Sequence, residues 1–203
     1  MSKMFLDPTK PLHTCIEDSC EDCEISDKIV CHFNFKQLVR FLLACAPCFA
    51  LACFFFYQFQ PYLLIPWISF ILAYFGLIEI KALCSHCPHY AEPGTKSLKC
   101  WANYGSYKFW HYNAGPLSPI SKTVFLAGLV IIFFSPLIPV IIQGYYVLLT
   151  AYIVSLALWT LMLKKLYCHY CINFACPLNS VDQEVKDIFF EKNPTIKNAW
   201  KNS

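Results

Sequence analysis

Apolar residues in this chain do not alternate with polar ones but run in four nearly unbroken blocks. These blocks, Val39 to Tyr57, Tyr62 to Ile80, Val124 to Ile142 and Tyr145 to Leu163, each hold about 19 residues. A helix needs roughly 20 apolar residues to cross the hydrocarbon of a bilayer. Inside lipid every backbone amide must be paired within its own segment, which selects helices over isolated strands. Pro47, Pro66, Pro136 and Pro139 fall inside the blocks. Prolines kink such helices without ending them, and Ser135-Pro-Leu-Ile-Pro139 is expected to bend the third. The predicted fold is an all-α integral membrane protein with four transmembrane helices arranged as two repeated hairpins.

The polar remainder then falls on two sides. Residues 38–80 and 124–164 are the hairpins, closed by Gln58-Phe-Gln-Pro61 and Gln143-Gly144. An N-terminal segment (1–37), a long loop (81–123) and a tail (165–203) share the other side. All 16 Lys and Arg lie there or at the adjoining helix ends, as Arg40, Lys81, Lys122, Lys164 and Lys165 do. The positive-inside rule makes that side, with both termini, the cytoplasmic face of a cell membrane. Met1-Ser-Lys-Met-Phe-Leu-Asp-Pro has no apolar signal core, so the first block is expected to direct insertion itself. Charged residues make up 14% of the chain and apolar ones 57%, far from the soluble norm. The net charge of +3 follows from the topology and predicts no nucleic-acid partner.

Thirteen cysteines add the chemistry. Ten fall on the cytoplasmic side, as do all six histidines, among them His86, His89 and His111. That compartment keeps thiols reduced, so clustered cysteines there predict metal ligands or redox groups over a disulfide framework. Two hooks stand out, Cys84-Ser-His-Cys87 and Cys168-His-Tyr-Cys171, each following a long apolar run. Each is followed by an aromatic and an alanine in matching places, Tyr90-Ala91 and Phe174-Ala175, which suggests an internal repeat. A third cysteine follows each hook, Cys100 and Cys176, and prolines follow Cys87 and Cys176. In one arrangement each triplet, Cys84, Cys87, Cys100 and Cys168, Cys171, Cys176, holds its own iron–sulfur cluster, with a fourth ligand from the N-terminal cysteines, a histidine such as His86 or His89, or a substrate. Thiolates with a following proline suit such ligation. Two hooks meeting would instead make a four-thiolate zinc or single-iron site. A dithiol redox pair is the third arrangement, and it leaves most of the cysteines idle.

Other candidates carry less weight. Cys15, Cys20, Cys23 and Cys31 include the C-x4-C-x2-C spacing of plant-type ferredoxins. Five acids interleave them, and a solvated lead-in contributing at most one ligand is the expectation. Cys45 and Cys48 lie within the first block, as a metal relay or as packing, while Cys53 reads as a small apolar residue. Glu79, near the membrane surface, is a candidate proton carrier. The loop is turn-rich and aromatic, from Trp101 to Tyr112, and is expected to lie on the membrane and cap the hooks. In the tail Val181, Val185, Ile188 and Phe189 share one face of a short amphipathic helix.

The layout of four spans with a cytosolic Cys-rich loop resembles protein palmitoyltransferases, but their Asp-His-His-Cys tetrad is absent. Quinone-linked disulfide-forming enzymes place their cysteines on the opposite face. Neither family is assigned. The functional expectation is a membrane-integral iron–sulfur protein transferring electrons, an oxidoreductase component if an enzyme. Its partners would be a lipid-soluble electron carrier or a cytoplasmic redox protein. A zinc-stapled scaffold or assembly subunit is the first alternative, and a soft-metal carrier using Cys45 and Cys48 is the second.

Overall fold

The computed structural model describes residues 7–202. Most of the opening stretch read for a signal core, residues 1–6, lies outside the described residues, as does Lys3. Four helical stretches are long and apolar enough to cross a membrane: Phe35–Phe59, Pro61–His86, Pro119–Ile142 and Tyr146–Tyr170. They make the chain a multi-pass membrane protein by length and composition. Among the described residues there are no strands, only two isolated β-bridges.

The first stretch is one helix, α1 (Phe35–Phe59), started by Asn34, whose side chain accepts from the amides of Lys36 and Gln37. Such a cap satisfies amides that have no partner inside the helix. Gln60 alone separates it from α2 (Pro61–Ala73), where proline suits the first turn because its missing N–H would go unpaired anyway. A π-helical turn (Tyr74–Ile78) and a short helix, α3 (Glu79–Ala82), complete the second stretch. The third stretch is split into α4 (Pro119–Phe134) and α5 (Leu137–Ile142). Gly144, at φ 72°, turns the chain into α6 (Tyr146–Met162), which ends in a second π-helical turn (Leu163–Tyr167).

The split in the third stretch falls where the prolines predicted a bend, and the neighbouring helices repair it. Pro136 has no N–H to give the Ile132 carbonyl. That carbonyl accepts instead from the Trp67 indole Nε1 at 3.2 Å. The Phe133 carbonyl beside it accepts from the Tyr152 hydroxyl at 2.9 Å. With no water in hydrocarbon, each of these bonds removes an otherwise unsatisfied acceptor. Tyr74 completes the set by donating to the Phe125 carbonyl at 2.6 Å. Its ring lies where a Cβ on Gly128 would have to sit. Small residues at such crossings let helices approach in the absence of a hydrophobic drive between them. Phe55, Tyr74, Ile132 and Tyr152 are fully buried at the centre, while residues such as Leu72 and Val147 point outward, as lipid contact requires.

Beyond the helix ends the chain folds into a second core. It joins Leu12, Ile25 and Ile29 of the N-terminal segment to Ile172, Val181, Val185, Phe189 and Ile196 of the tail. The expected amphipathic helix is α7 (Gln183–Lys192), with Val185 and Phe189 buried as read from the sequence. A further helix, α8 (Pro194–Lys201), follows it. The partner of α7 is the N-terminal segment: Ile16 N donates to Lys192 O at 2.9 Å, and the buried Thr14 hydroxyl donates to Asn193 Oδ1 at 2.8 Å. That segment is therefore packed. Its acids Glu17, Asp18, Glu21, Asp22 and Glu24 are exposed as expected, while its cysteines are partly covered.

Filling the Gly128 position should cost about 1–3 kcal/mol, the usual penalty of overpacking. Gly128→Val is expected to lower the unfolding temperature in detergent. Combined with Tyr74→Ala, the loss should be smaller than the sum of the two single losses, as a double-mutant cycle would measure.

Candidate metal centre

Each hook begins in the last turn of a long apolar stretch, and the two have the same backbone. Leu83 and Tyr167 enter at φ −125°, ψ −54° and φ −127°, ψ −55°. A single 3₁₀ turn follows, Cys84–His86 in one and Cys168–Tyr170 in the other. Cys87 and Cys171 leave it extended, at φ −82°, ψ 138° and φ −84°, ψ 126°. A π-helical turn lies upstream of each, and such turns are frequent at functional sites.

Hydrogen bonds from asparagines and loop groups fix the hooks against each other. Asn173 Nδ2, buried, reaches from the second hook to Leu83 O of the first at 3.2 Å. Asn179 Nδ2 donates to Cys171 O at 2.7 Å and to Asn173 O at 3.2 Å. The N-terminal segment joins through Val30, whose amide donates to Tyr170 O at 2.8 Å. In the first hook Ser85 Oγ donates to Lys81 O at 2.7 Å, and Asn113 N donates to Ser85 O at 2.9 Å. The imidazoles are similarly engaged: His86 Nδ1 lies 2.7 Å from Gly115 O, and His169 Nδ1 lies 3.0 Å from Ser180 O.

Cys100 arrives from the loop. Leu98 N bonds Ser106 O at 2.8 Å and Lys108 N bonds Lys96 O at 2.9 Å, closing a tight excursion that turns at Gly105, φ 89°. Positive φ carries little cost for glycine alone, so Gly105 lets the loop double back. Trp101 then anchors it, stacking on Tyr167 with centroids 4.8 Å apart and meeting Phe41 edge-on at 5.5 Å. Asn103 Nδ2 donates both to Cys84 Sγ at 3.3 Å and to Glu79 Oε2 at 3.2 Å. Glu79 is thus held beside the thiols, while the Lys81 ammonium lies 4.7 Å above the Trp110 ring.

Thiols from both hooks and from the loop come within electrostatic reach of one another. Cys84 faces Cys87 and Cys100. Burial pushes the Cys87 thiol far above its ordinary range, and Cys100 and Cys176 raise it further. Burial does the same to Cys171, reinforced by Cys87, Cys100 and Cys176. Cys176 is pushed up to about 12, by burial before all else. Cys168 lies at the margin, felt by Cys176.

Backbone amides oppose these shifts, and they follow one pattern. Cys87 accepts from the amide of His89, Cys100 from those of Ala102, Asn103 and Trp101, Cys171 from that of Asn173, and Cys176 from those of Leu178 and Asn179. In each case the residue two positions on turns its N–H back onto the sulfur. A hydrogen bond to the charged form favours that form. A cation among the sulfurs would complete the inversion, because coordination deprotonates a thiol outright. His89 is buried, and burial followed by the charge of His32 lowers its pKa to about 4, so the ring is neutral near pH 7.

The residues singled out in the sequence therefore divide. Cys84, Cys87, Cys100, Cys171 and Cys176 share one electrostatic neighbourhood, and Asn103 ties Glu79 to Cys84. Among the described residues, no three Cys, His, Asp or Glu groups converge as a formed metal site. All thirteen cysteines are free thiols. Cys45 Sγ donates to Leu42 O of its own helix at 3.2 Å, and Cys48 Sγ meets Ser155 Oγ of α6 at 3.2 Å. Cys53 packs against the helix core. Compared with protein families, curated proteins and solved structures, the chain matches none. Sequence reasoning gave no role to Asn103, Asn173 or Asn179, whose amides make the bonds to Cys84, Leu83 and Cys171. One signal was there: Asn173 and His89 follow their hooks at the same distance, and both are buried.

Asn179→Ala should leave the part-buried Cys171 carbonyl without this donor and cost about 1 kcal/mol, the net worth of a typical hydrogen bond. Faster alkylation of Cys171 in metal-free protein, read by mass spectrometry, is the expected outcome.

Proposed function

We propose that this is a membrane-integral electron-transfer protein with an iron–sulfur centre at the end of its helical bundle, on the cytoplasmic face. Cys84, Cys87, Cys100 and Cys171 are its ligands, with Cys176 beside them and Cys168 at the edge. The observation that carries this reading is the set of amide hydrogens turned onto Cys87, Cys100, Cys171 and Cys176, in a place where burial alone would keep the thiols protonated. Hydrogen bonds to sulfur and solvent exposure are the levers by which a protein sets the potential of such a centre. The chain also offers more sulfurs here than one tetrahedral ion uses.

Matching dihedrals at the hooks support the reading of two repeated hairpins meeting at one shared site, in place of two separate triplets. When bound, the centre supplies one-electron storage. The remaining work falls to the chain. Trp101, Phe41 and Tyr167 shield the membrane side of the site from water. Asn103 orients both Cys84 and Glu79, which places the Glu79 carboxylate to take up a proton when negative charge is added. Position beside the bilayer suits exchange with a lipid-soluble carrier, and the opposite face suits a cytoplasmic redox protein. The hooks and the cationic segments share one end of the bundle, which supports its placement in the cytoplasm.

Anaerobically purified protein should contain iron and acid-labile sulfide in comparable amounts, with visible absorption that bleaches on adding dithionite. Cys87→Ser and Cys171→Ser are each expected to lose most of the iron, and Cys53→Ser to lose none. Zinc without sulfide at these cysteines would instead make the hooks a structural staple and end the electron-transfer reading.

A further inference from the structure

We infer that the N-terminal segment is a second, separate metal site, in which Cys15, Cys20, Cys23 and Cys31 hold one zinc ion as four thiolates. The inference does not depend on what the hooks bind.

The four cysteines line a single cavity of about 440 Å³. Every pair among them is within electrostatic reach. Cys15 feels Cys23, Cys20 feels both Cys23 and Cys15, and Cys31 feels all three. Turns hold three of the four in place: Cys15 N bonds Leu12 O at 2.9 Å, Cys20 N bonds Thr9 O at 2.8 Å, and Cys23 N bonds Cys20 O at 3.3 Å. The cavity wall also carries Gln37, whose buried Oε1 has no hydrogen-bond partner.

An ion would add to what packing against α7 already gives the segment. Between Asp7 and Asn34 the described chain forms turns and bends but no helix. Its own fully buried apolar side chains are Leu12, Ile25 and Ile29. A tetrathiolate zinc site adds folding free energy directly.

A divalent cation would offset half of the charge of four thiolates. Four thiolates around a divalent cation leave a net negative charge beside five exposed acids. Lys192, on the cavity wall, is the counter-charge at hand, and its ammonium already pairs with Glu17 at 2.9 Å and Glu24 at 3.8 Å. The two sites adjoin through Cys31 and Cys87, so the zinc would also brace the segment that pairs with Cys171.

Metal and acid-labile sulfide should be measured on the full chain and on two double variants, Cys20→Ser with Cys23→Ser and Cys87→Ser with Cys171→Ser. The first pair should lose about one equivalent of zinc, the content of one tetrathiolate site, and keep its iron and sulfide. The second should keep the zinc. Unchanged zinc in the first pair, loss of iron and sulfide in its place, or absence of zinc from the wild type would each overturn the assignment. If the first pair fails to fold, the wild-type protein refilled with Co²⁺ after chelation decides. Thiolate-to-cobalt absorption that survives in the Cys87→Ser, Cys171→Ser variant supports the site, and its absence there refutes it.

Discussion

A thiol taken out of water resists giving up its proton, and several thiols packed side by side resist more, because each new charge repels the others. Cys87, Cys100 and Cys171 are held under that constraint. Two things relieve it, amide hydrogens aimed at sulfur and a cation among the sulfurs. The chain supplies the first from its own backbone. The turn after each cysteine, the excursion that carries Cys100, and the asparagines that tie one hook to the other all serve to hold thiols where water would not favour them.

The membrane helices matter to this site as a rigid base. Their ends fix where Leu83 and Tyr167 enter the hooks, and the aromatic donors that repair the Pro136 break keep the third stretch packed between its neighbours. A bundle held by Trp67, Tyr74 and Tyr152 hydrogen bonds in hydrocarbon has few alternative registers, since slipping by a residue would leave several carbonyls unsatisfied. Rigidity at the helix ends is then passed to the sulfurs through short turns.

The helices were legible because hydropathy is a property of composition over a long window. The four blocks, the bend at Ser135–Pro136 and the burial of Val185 and Phe189 all follow from residue type and period. The hooks were legible for a different reason: a repeated spacing of a rare, reactive residue. The partners were not. Nothing local to Asn173 says that its amide will cross to Leu83, because the two are far apart in sequence and the bond is made by tertiary packing. The same holds for the N-terminal segment. Its exposed acids made it look solvated, while Leu12, Ile25 and Ile29 are too widely spaced for any helical or strand period to reveal that they meet α7.

In that segment the acids and the cysteines are placed differently. A carboxylate raises the cost of a nearby thiolate only as far as the solvent between them allows, and surface charges are well screened. Glu17, Asp18, Glu21, Asp22 and Glu24 face water, whereas the four sulfurs face a shared cavity with Lys192 on its wall. Alternation along the chain becomes separation in space, acids outward and sulfurs inward. The proposed zinc site would use that separation, with the interleaved acids left in water.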